Sequence, residues 1–157
     1  MTKSYSLLIN SNVPTTAPNK DTSGGIGAYK YYINWGSFLP KEHSKFKVSF
    51  SFRSNTIADD PVLAIQIGLN MGSTFCFDTT GSQSSYIGSI LPKSYVTDTA
   101  AEPHYYYEAQ ECDNGSIMVN YPSVDIVTVS INYLNNVQIG NTVINDYVLQ
   151  INFEVIE

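Results

Sequence analysis

An all-β fold, an antiparallel β-sandwich of jelly-roll type with eight or nine strands, is what this sequence predicts, and three observations predict it. Apolar and polar side chains alternate with a period of two in several segments, the signature of a strand with one dry and one wet face. Clusters of Gly, Pro, Asn and Asp punctuate the chain at short intervals. No window places apolar residues at helical spacing between a cap and a stop.

Taken in chain order, the first strand is expected at 4–10 and the second at 29–35, Tyr-Lys-Tyr-Tyr-Ile-Asn-Trp. The segment 46–53 alternates strictly, with Phe46, Val48, Phe50 and Phe52 on one face and Lys47, Ser49, Ser51 and Arg53 on the other. Further strands are expected at 62–69, 84–91, 104–111 and 116–120, each bounded by turn residues. From 124 to 133, Val127, Val129, Ile131 and Tyr133 alternate with Thr128, Ser130 and Asn132. From 147 to 156, Tyr147, Leu149, Ile151, Phe153 and Val155 share one face, while Gln150, Asn152 and Glu154 take the other. Helix is expected only as a short turn near Lys41 or Asp59. Strands this short and half-polar fit sheets with one face on a core and one in water.

The connections are informative as well. Residues 11–28 hold two prolines and three glycines and read as one long loop, longer than compact domains usually carry. A second irregular stretch is expected from Pro92 to Pro103, as crossovers between sheets require. Asn114-Gly115 reads as a tight hairpin turn joining 105–112 to 116–120, although with Ser116 it also matches a glycosylation acceptor.

The whole chain, 1–157, is expected to form one domain, since about 150 residues bury roughly two thirds of their unfolded surface. Hydrophobic residues make up 43%, an ordinary share, but charged residues only 14%, against roughly 25% in typical domains. Asn, Ser, Thr and Tyr therefore cover the surface. A formal charge of −6 with Arg53 as the single arginine argues against nucleic-acid binding, which draws on clustered cations. The segment Lys41–Lys47 is the densest basic run, and Glu42 interrupts it. No apolar run approaches the roughly 20 residues that span a bilayer, and the first residues lack the apolar stretch of a secretion signal, so no membrane association is expected. Cys76 and Cys112 are expected as free, partly buried thiols.

Catalytic chemistry finds few residues to use, and no enzyme is expected. His43 and His104 are the only histidines, and neither belongs to a nucleophile–base motif. Cys76 lies between Phe75 and Phe77, and Cys112 between Glu111 and Asp113, whose charges raise a thiol pKa. Glu108 and Glu111 are an odd number apart, so a strand points them to opposite faces, which a glycosidase pair cannot use. His104 with Glu102 or Asp98 is the one cluster resembling a metal site, and it is too sparse to hold an ion; no metal and no cofactor are expected. Gly24-Gly25-Ile26-Gly27 lacks the Lys-Ser/Thr of a phosphate loop.

The residues best suited to touch a partner or a glycan are Trp35, Tyr105, Tyr106, Tyr107 and Glu108. Tyrosine offers a rigid surface with a polar tip, and 102–113 is the most acidic stretch. The plainer alternative is that these tyrosines serve only the strand they sit on.

The segment Tyr31-Tyr32-Ile33-Asn34-Trp35-Gly36-Ser37-Phe38-Leu39-Pro40, followed by the alternating strand from Phe46 to Arg53, resembles an element of small jelly-roll structural proteins in large DNA viruses of algae and protists. There an aromatic strand ending in Trp leads through a Leu-Pro turn into a Phe-Ser-Phe strand. The resemblance covers residues 4 to 55 and, more loosely, the C-terminal strands. It implies a virion component, a minor capsid, penton or spike protein assembled in the host cytoplasm, with other capsid proteins as partners. Sandwich faces rich in Tyr, Ile and Val add the expectation of a homo-oligomer, a trimer or larger ring. The alternative is a carbohydrate-binding, lectin-like module that meets a host-surface glycan.

Overall fold

The computed structural model describes residues 3–12, 20–56, 65–69, 74–77, 83–86, 88–90, 92–95, 104–109, 116–133, 138–140 and 144–156. These residues hold thirteen strands and no α-helix. The strands are β1 (Ser4–Asn10), β2 (Lys20–Asp21), β3 (Ala28–Tyr32), β4 (Lys45–Thr56), β5 (Ile65–Leu69), β6 (Thr74–Phe77), β7 (Gln83–Tyr86), β8 (Gly88–Ile90), β9 (Pro92–Tyr95), β10 (His104–Ala109), β11 (Ile117–Asn120), β12 (Ile126–Tyr133) and β13 (Ile144–Val155).

Pairing between these strands is antiparallel throughout. One sheet runs β1-β13-β4-β10-β9, with β11 also on β4, and a second runs β2-β3-β12-β5-β8; β6 and β7 pair with each other. The final strand, β13, therefore lies inside the first sheet between β1 and β4. Both of its edges are satisfied, which suits its unbroken alternation of apolar and polar residues.

The alternation read from the sequence sets the core. Phe46, Val48, Phe50 and Phe52 of β4 and Leu149, Ile151 and Phe153 of β13 are buried, and they meet Val127, Val129 and Ile131 of β12 in one cluster shared by both large sheets. Burying a side chain of this size contributes about 1.5–3 kcal/mol. At one end the aromatic rings interlock: Trp35 lies 5.7 Å from Phe153 edge-on, and Phe46 lies 6.0 Å from Phe153 in the same manner.

Several connections depart from the expected pattern. The helical turn is a 3-10 turn at Trp35–Ser37, not one near Lys41, while Asp59 lies outside the described residues. The strand expected at 29–35 stops at Tyr32: the Ile33 N–H still donates to Asp125 O in the register of β3 on β12, but the Trp35 N–H folds back to Ile33 O at 3.1 Å, and those of Phe38 and Leu39 donate to Trp35 O. Short pieces of ladder also form in stretches read as loop: β2 pairs with β3 inside 11–28, and β9 pairs with β10 inside 92–103. The expected strand 84–91 is divided into β7 and β8, which belong to different sheets. These pieces bring the number above the eight or nine that periodicity suggests, since strands of two to four residues carry too few alternations to register.

The hairpin expected between 105–112 and 116–120 is not formed. β10 and β11 lie end to end on the same edge of β4, with Ala109 opposite Phe52 and Ile117 opposite Val48. β4 is twelve residues long and buries one whole face, so both segments are recruited to cover its edge instead of pairing with each other. Asn114 and Gly115 themselves lie outside the described residues.

Candidate functional site

Two concave surfaces, at different corners of the sheets, collect side chains able to meet a partner. The first is apolar. Residues 121–125 cross from β11 in one sheet to β12 in the other, and the crossover is pinned at several points. Tyr121 N–H donates to Ser44 O at 2.9 Å, and the Tyr121 hydroxyl donates to Leu39 O at 3.3 Å. The Trp35 indole Nε1–H donates to Val124 O at 2.8 Å. With its carbonyl turned inward, Val124 presents its side chain to solvent at 53% exposure, beside Met118 at 58% and Ile126 at 36%. These side chains, with Trp35, Tyr121 and Pro122, line a cleft of about 260 Å³.

The second surface is polar and is built on a β-bulge. The register between β13 and β4 shifts between Ile144 and Tyr147, and such a shift re-aims the side chains beside it. Ser11, just after β1, holds the bulge: its N–H donates to Tyr147 O at 2.9 Å, and its Oγ accepts the Tyr147 N–H at 2.7 Å. The same hydroxyl reaches Asp146 Oδ1 at 3.4 Å, and Lys20 Nζ donates to Ser11 O. Asn10, Asn12, Arg53, Ser54, Asp146, Tyr147 and Val148 line a pocket of about 330 Å³. Lys20 lies 4.6 Å from the centre of the Tyr29 ring. Partial burial lowers the Lys20 pKa from its ordinary value, and the Asp146 carboxylate opposes that shift.

Chemically, this pocket sets one guanidinium, one carboxylate and two primary amides around a hollow, with Val148 as an apolar wall. Arg53 donates only, a carboxylate accepts only, and each amide does both. That mixture suits a neutral, hydroxyl-rich ligand.

Of the residues singled out from sequence, Trp35 is 2% exposed and takes its place in the core with its N–H engaged, so it meets the apolar cleft from beneath. Tyr105, Tyr106 and Tyr107 are consecutive in β10, and their side chains lie outside the described part of the structure. Tyr107 is in register with Ser54, which is buried, and Glu108 with the exposed Arg53.

Asn10, Asn12 and Asp146 were not legible as site residues, because bulge and strand end bring them together from distant parts of the chain. Val124 carried a faint signal, an apolar residue just after Pro122 in a polar connection.

His104 opens β10, whereas Asp98, Glu102 and Cys112 lie outside the described residues, as does the side chain of Cys76. Among the described residues no group of three or more His, Cys, Asp or Glu side chains is placed to hold a metal ion. No helix among them is long and apolar enough to cross a membrane. No family model matches the chain, and a search of curated proteins finds no relative.

Proposed function

We propose that this chain is a non-enzymatic, self-associating building block of jelly-roll type, a minor capsid, penton or spike component of a virion. The observation that carries the reading is which strands pair. β1 pairs with β13, β3 with β12, β4 with β10 and β5 with β8. Taking these eight strands alone, the first pairs with the last, the second with the one before it, and so inward to the middle. An antiparallel ribbon folded in this nested way and wrapped into two sheets is the jelly roll, a fold widely used in viral shells. The exposed cluster of Met118, Val124 and Ile126 supports association, since an apolar cleft on a surface short of charge gains by being covered.

Light scattering on the purified chain tests the reading, with a mass several times 17.4 kDa expected. A monomer at all concentrations removes it. Copurification with virus particles then separates a shell component from any other assembling protein.

A second reading, a carbohydrate-binding module, is favoured by the polar pocket at the bulge. A glycan array probed with the chain distinguishes it: binding that is lost in Asp146→Asn supports this reading, and an array without a hit overturns it.

A further inference from the structure

We infer that the open edge of β1 is an interface where a second copy of this chain adds its own β1 antiparallel, joining two sheets into one across a twofold axis. The inference rests on the self-association reading above and names the surface responsible.

β1 ends the strand order of its sheet, and no described strand pairs with its outer edge. Which groups face that edge follows from the ladder on the other side. Val155 N–H donates to Lys3 O at 3.0 Å and Ser11 N–H donates to Tyr147 O at 2.9 Å, so the odd-numbered residues of this strand spend their backbone groups on β13. The N–H and C=O groups of Ser4, Ser6, Leu8 and Asn10 then point to the open edge.

Exposed edges are normally blunted by lysine, proline, a bulge or an inward-pointing charge. β1 has none of these between Ser4 and Asn10, and its pairing with β13 runs without a register shift from end to end. The side chains around it are left partly uncovered. Leu8 is 65% exposed on the outer face, the most exposed of the large hydrophobic residues among those described, while Tyr5 and Leu7 lean on the core from the edge and remain half-buried.

A second copy meets this edge with a matching set of groups. With the twofold axis at Leu7, the free groups of Ser4 meet those of Asn10 in the partner and the free groups of Ser6 meet those of Leu8, so every one of them is used. Each chain carries a formal charge of −6, yet the contact strand itself is uncharged, so repulsion is not concentrated where the copies meet. A twofold edge contact makes pairs, and growth to a larger assembly then requires a second surface such as the apolar cleft.

The test compares full-length wild type with Ser6→Pro and Leu8→Lys by light scattering over a concentration series, with far-UV circular dichroism and melting temperature measured on each. Proline at position 6 deletes a donor that faces outward and spares the β13 ladder. Lysine at position 8 changes only an exposed side chain, so it remains informative if the proline variant fails to fold. The expected result is an assembled wild type and folded variants whose mass falls by at least half at equal concentration. An assembled wild type whose folded Leu8→Lys variant keeps its full mass overturns the edge and leaves self-association standing; a wild type that is monomeric throughout overturns both.

Discussion

The hydroxyls of Tyr31 and Tyr147 lie 2.8 Å apart in the buried interior, one from β3 and the other from β13, and they form a hydrogen bond between the two large sheets. Tyr147 also stacks on Phe52 at 5.7 Å, and its backbone N–H is held by Ser11. The same residue thus fixes the bulge that shapes the polar pocket and ties it to the opposite sheet.

Removing one hydroxyl leaves the other buried without its partner, which costs about 1–3 kcal/mol, whereas removing both is nearly neutral. Tyr31→Phe and Tyr147→Phe are each expected to destabilise by that amount, and the double variant by less than the sum. Urea denaturation of the four proteins as a double-mutant cycle measures the coupling. Additive losses would show that the bond contributes nothing.

The same pair makes the fold sensitive to alkali. Burial pushes the Tyr31 phenol from 10.0 up to about 12, with the hydrogen bond from Tyr147 as the main opposing influence. Burial, then the neighbouring Tyr31, raises Tyr147 further. In the unfolded chain both ionise near 10. Above that pH the unfolded state releases protons that the folded state keeps, so stability is full below about 10 and falls as pH rises. The contribution of Tyr31 is lost between about 10 and 12, and that of Tyr147 continues to fall beyond. Melting temperature measured from pH 8 upward should decline from near 10, and less steeply in Tyr31→Phe.

The faces of β4, β12 and β13 were legible because a period of two shows directly in Phe46–Phe52, Val127–Ile131 and Tyr147–Val155. Pairing was less so. Nothing local in Ile117–Asn120 says that it continues the line of β10 along β4, because that choice is made by the unmet edge of a distant strand. The sites were least legible: Asn10 and Asp146 become neighbours only through the β1–β13 ladder, and Trp35, a candidate partner or glycan contact from its sequence, is buried at the turn Trp35–Ser37.

Gly27 is predicted to tolerate no side chain. A Cβ there would stand 2.5 Å from Ile139 O and 2.9 Å from Ile131 O, both backbone atoms. Those atoms belong to a chain of bonds, in which Ile131 N–H donates to Gly27 O and Ile139 N–H donates to Ile131 O, both at 2.9 Å. Gly27→Ala should therefore cost about 1–3 kcal/mol, the usual cost of overpacking, read as a lower urea midpoint. Gly24→Ala is the control, since its nearest neighbours lie at 3.1 Å or more and should cost less.

Trp35 gives both a test of the apolar cleft and a probe for it. It is the only tryptophan in the chain and is 2% exposed, so native emission should be blue-shifted and move red on unfolding. Trp35→Phe removes the donor to Val124 O and vacates volume beside Phe38 and Phe153. A partly buried carbonyl left without its donor costs about 1–3 kcal/mol, with cavity formation adding to it. Because the lost bond is one of the pins on residues 121–125, amide exchange should quicken in that crossover more than along β4 or β13, where the ladder is untouched. Equal acceleration everywhere would mean that Trp35 acts only through bulk packing and does not hold the cleft in shape.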